Sequence, residues 1–67
     1  MKEDKQGIVD LLLPLLRKTE FYNVISLEYR EKQGLVYAEF AGGYTKVVDV
    51  AGKEGVNMIL EVIRGIM

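Results

Sequence analysis

Residues 22–50 read YNVISLEYREKQGLVYAEFAGGYTKVVDV, and the way this stretch pairs with itself decides the fold. Along a first strand, from about Tyr22 to Arg30, Phe21, Ile25, Leu27 and Tyr29 share one side. Tyr22, Val24, Ser26, Glu28 and Arg30 share the other. Glu31-Lys32-Gln33-Gly34 then reads as a four-residue loop, with Gly34 suited to a positive φ. That loop pairs Arg30 with Leu35, Tyr29 with Val36, Leu27 with Ala38 and Ile25 with Phe40. The last three pairs are all apolar, whereas a slip of one residue would turn the wrong face inward. For the second loop, Ala41-Gly42-Gly43, a three-residue turn pairs Phe40 with Tyr44 and Val36 with Val48. A two-residue turn would bury Asp49, so the three-residue form is expected, with Gly43 left-handed. The strands are then residues 22–30, 35–40 and 44–50.

A helix flanks each end. From about Lys2 to Lys18, Ile8, Leu11, Leu12 and Leu15 recur at helical spacing, and Val9, Leu13 and Leu16 widen the apolar face. Pro14 removes one backbone donor and presses on the carbonyl of Asp10. The helix either kinks and continues through it, which the phase of Leu11, Leu12 and Leu15 favours, or stops near Leu13. From about Lys53 to Ile66, Val56, Ile59, Leu60, Ile63 and Ile66 or Met67 read as the buried stripe. Met58 and Val62 lie on its flank. The expectation is one α+β domain over residues 1–67, with element order α-β-β-β-α. Its sheet is a three-stranded antiparallel meander in the order 1-2-3, with both helices packed on one face.

Composition narrows the chemistry. The 67 residues hold no cysteine and no histidine, so disulfides, thiolate metal sites and the commonest neutral-pH base are absent. A domain of this size buries only about 60% of its unfolded surface. An apolar content of 49% then implies dense packing, self-association or both. The net charge of −1 comes from interspersed acids and bases, with no run to collect phosphates. No apolar run approaches the roughly 20 residues of a membrane span. Met1–Gln6 is too mixed in charge for a signal peptide, and a cytoplasmic protein is expected.

Catalytic, cofactor and metal sites are not expected. Glu28 and Glu39 are diagonal neighbours on the outer sheet face, but an open face excludes no water. Ser26 has no histidine to activate it, and Gly42-Gly43 has neither the spacing nor the following helix of a phosphate loop. Two surfaces remain. On the outer face, Leu35, Tyr37 and Val47 form a small apolar centre with charges around it, and Tyr22 and Val24 extend that face at one end. On the helix flanks, Met58 and Val62, with Val9, Leu13 and Leu16, exceed what one sheet face can cover. Either suits a protein partner or a second copy of the chain, a homodimer.

Two resemblances add to this reading. The element order is similar to that of the double-stranded-RNA-binding domain, which grips phosphates with a basic cluster at the start of its second helix. At that place this chain carries Lys53 alone, followed by Glu54. The run Phe40-Ala41-Gly42-Gly43-Tyr44-Thr45-Lys46-Val47-Val48-Asp49-Val50, followed by Gly55 and Met58-Ile59, resembles small uncharacterised proteins of prophages and conjugative elements of Gram-positive bacteria. Leu12-Leu13-Pro14-Leu15-Leu16 and Ser26-Leu27-Glu28-Tyr29 share that likeness. It implies a mobile-element setting. The expected function is therefore that of a small non-enzymatic accessory protein acting through protein contacts. Inhibition of a host defence system by occlusion and nucleic-acid binding are the alternatives.

Overall fold

The computed structural model describes residues 4–19 and 23–67. It has the element order read from the sequence: α1 (Lys5–Leu16), β1 (Val24–Arg30), β2 (Leu35–Phe40), β3 (Thr45–Asp49) and α2 (Gly55–Ile66). The sheet is an antiparallel meander, β1-β2-β3. Both helices cover the same face, α1 against β1 and α2 against β3, and they touch each other.

The loops set the register as expected. Arg30 pairs with Leu35 and Val36 with Val48. The Phe40 amide donates to the Tyr44 carbonyl at 2.9 Å, which closes the three-residue turn. Gly34 and Gly43 both have positive φ, +65° and +85°. At these two positions an L side chain would be strained whatever the space around it.

One strand departs from the expected register. The pairing shifts between Val24 and Ser26, so Val24, not Ile25, stands opposite Phe40. The extra residue is a β-bulge, and it reverses the inward-outward alternation upstream of it. Val24 is fully buried and Ile25 is 41% exposed. The expectation that Val24 belongs to the outer face is thereby corrected.

The helices are also rotated from the expected stripes. α1 buries Val9, Leu12 and Leu16, while Leu11 and Leu15 face solvent. Asp4 caps this helix by accepting the Gly7 amide at 2.9 Å. A Cβ on Gly7 would lie 2.6 Å from the Asp4 carboxylate, so a larger residue there would require the capping side chain to shift. The helix continues through exposed Pro14, as the phase of the leucines favoured. Its rotation follows from Gln6, whose side-chain oxygen accepts the Tyr29 amide at 2.8 Å.

α2 buries Met58, Val62 and Ile66, with Ile59 and Ile63 partly covered. Val56 and Leu60 are exposed. Gly65 sets this rotation: a Cβ there would come within 2.5 Å of the Val48 side chain, so α2 lies directly on β3 at that point. Met58 and Val62 are consequently core residues and leave the list of surface candidates. The core joins these helix positions to Val24, Leu27, Val36, Ala38, Phe40, Val48 and Val50, and no polar side chain is buried among the described residues. Full burial of each Val or Met contributes on the order of 1.5–3 kcal/mol.

Candidate functional site

The outer face of the sheet carries no helix among the described residues. Its central row is Glu28–Tyr37–Val47, flanked by Arg30–Leu35–Asp49 and Ser26–Glu39–Thr45. Leu35 and Tyr37 are half-buried and Val47 is 53% exposed, so these three stand where the register placed them. Tyr22 lies outside the described residues. The Arg30 guanidinium lies over the Tyr37 ring, 5.1 Å from its centroid, and contacts the Glu28 carboxylate at 2.6 Å. That pair is half exposed, so it adds at most about 1 kcal/mol. It engages Glu28 with a cation instead of with Glu39.

The helical layer holds the larger apolar surface. Leu11, Leu15, Val56, Leu60 and Met67 are 51% to 74% exposed. Their positions follow from two anchors. On α1, Gln6 reaches the outer edge of β1. Leu11 and Leu15 lie about 140–180° around the helix from it and face solvent. On α2, Gly65 faces β3. Leu60 and Val56 lie about 140–180° from it, toward solvent. Half-buried Ile8, Ile59 and Ile63 widen this apolar surface. Leu11–Leu15 and Val56–Leu60 are i,i+4 pairs, so each helix presents a continuous ridge. The sequence pattern contained these residues but placed them inside. Gly65, a glycine late in a helical run, was the signal that could have set the phase.

Chemistry is sparse. No cluster of three or more His, Cys, Asp or Glu side chains able to hold a metal occurs among the described residues. A depression of about 430 Å³ at the β1–β2 turn, lined by Tyr29, Arg30, Glu31, Lys32 and Gln33, is open to solvent. At the start of α2, Lys53 and Glu54 are both exposed and of opposite charge. Among the described residues, no helix is long and apolar enough to cross a membrane. Comparison with family models, curated proteins and solved structures finds no match to this chain.

Proposed function

We infer that the protein is a non-enzymatic accessory module that holds a protein partner across its helical layer. The observation that carries this reading is the pair of leucine-centred ridges, Leu11–Leu15 and Val56–Leu60, left in water by a domain that has little core to spare. Contiguous exposed apolar surface of this kind is what a contact surface presents. The polar residues beside them, Asp10, Arg17, Asn57 and Arg64, suit a rim. Mixed charge at the start of α2 favours a protein over a phosphate backbone. The test is a capture experiment with wild type, Leu11→Lys/Leu60→Lys and Tyr37→Ser as baits. The reading expects a partner retained by wild type and Tyr37→Ser and lost by the double variant. A partner lost only with Tyr37→Ser would move the function to the open sheet face.

A further inference from the structure

We propose that β3 is a self-pairing edge: two copies of this chain join their β3 strands antiparallel about a two-fold axis at Val47, making one six-stranded sheet. The phase of the backbone hydrogen bonds supports this. At the two ends of β3, the Tyr44 carbonyl accepts from Phe40 and the Val50 amide donates to Gly34. The even-numbered residues thus turn their backbone groups toward β2. By the alternation of an antiparallel ladder, Thr45, Val47 and Asp49 turn theirs to the open edge. Val47 is the middle residue of the Thr45–Asp49 strand. Pairing about Val47 sets each Val47 opposite its copy and each Thr45 opposite the second copy's Asp49. All three outward residues then meet outward residues, as an isologous contact requires. No register about another centre uses all of them.

Side chains agree. On the outer face the central row becomes Glu28–Tyr37–Val47–Val47–Tyr37–Glu28, so exposed Val47 gains an apolar neighbour, flanked by Tyr37. At the ends, the Thr45 hydroxyl faces the Asp49 carboxylate, one oxygen of which already accepts the Ala51 amide. On the inner face the edge residue most able to prevent pairing is Lys46, because an inward charge commonly guards an edge. Here its amine is drawn back over its own subunit. It lies 5.6 Å from the Phe40 ring centroid and donates to the Ile66 carbonyl at 3.3 Å.

This pairing also brings the two α2 helices side by side near the axis, because each lies on β3 at Val48, but it does not use the exposed ridges Leu11–Leu15 and Val56–Leu60, and one set of measurements tells the two surfaces apart. Sedimentation equilibrium up to about 1 mM chain is run on wild type, Val47→Lys, Val47→Pro and Leu11→Lys/Leu60→Lys. Val47→Lys places like charges directly opposite across the axis. Val47→Pro deletes an amide that faces outward, so it leaves the β2–β3 ladder intact. Wild type and the helix double variant are expected to reach twice the 7.6 kDa chain mass. Both Val47 variants are expected to stay single, with unchanged circular dichroism. In wild type alone, amide exchange at Thr45, Val47 and Asp49 is expected to slow at least tenfold between dilute and concentrated samples. This readout needs no variant to fold. A single-chain mass at every concentration overturns the proposal. So does a doubling that survives both Val47 substitutions, or one that leaves those three amides fast.

Discussion

The two edges of the sheet are finished in different ways. At β1, α1 extends Gln6 to the Tyr29 amide, Lys5 sits over the Tyr29 ring, and a bulge at Ile25 breaks the run of pairing groups. At β3 the strand is regular, and the inward charge of Lys46 is tied back to Ile66. Both are short edge strands of one meander under one pair of helices. What separates them is what each helix brings to the rim: α1 carries Gln6 to the outward Tyr29 amide of β1, whereas α2 meets β3 through Gly65, which packs on the inward Val48 side chain. A closed edge and an open edge therefore need no difference in strand composition.

Substitutions can break or sharpen that contrast. The largest effect is expected at Gly65→Val, which drives a branched side chain into Val48 and lifts α2 from β3. A loss of about 3 kcal/mol should appear in chemical denaturation. Val24→Ala should cost about 2 kcal/mol and Ile25→Ala less than about 1, because the bulge buries the first and exposes the second. The reverse order, with Ile25→Ala the costlier, would mean that β1 pairs without the bulge. Gln6→Ala should cost about 1 kcal/mol and speed exchange of the Tyr29 amide, converting the closed edge into an open one. The smallest effect is expected for Arg30→Ala. The half-exposed pair with Glu28 should yield about 0.5 kcal/mol or less, and less still in high salt.

Much of this architecture was legible in the residues. Gly34 and Gly43 are punctuation that only certain loops accept, and those loops carry the register to Leu35, Tyr37 and Val47. The phase of Val24 and Ile25 was not legible. Both are β-branched and adjacent, so a bulge between them leaves the apolar pattern unchanged. Helix rotation was obscured for a similar reason. Leu11-Leu12-Leu13 and Leu15-Leu16 surround much of α1, and α2 is apolar on two flanks. When the pattern has no preferred phase, rotation is set by single contacts such as Gln6 with Tyr29 and Gly65 with Val48. The candidate surface followed those contacts, so Met58 and Val62 moved inward and Leu11, Leu15, Val56 and Leu60 moved outward.

Met58 is fully enclosed while Met67, nine residues on, is 72% exposed. In a chain without cysteine, histidine or tryptophan, mild peroxide finds methionine thioethers before anything else. The two sulfurs thus form an internal clock. Met67 sulfoxide should accumulate at the rate of a free side chain, while Met58 sulfoxide records each occasion on which α2 swings off the sheet. Their ratio, read by mass spectrometry, would report the opening frequency of that helix under any condition, without a label.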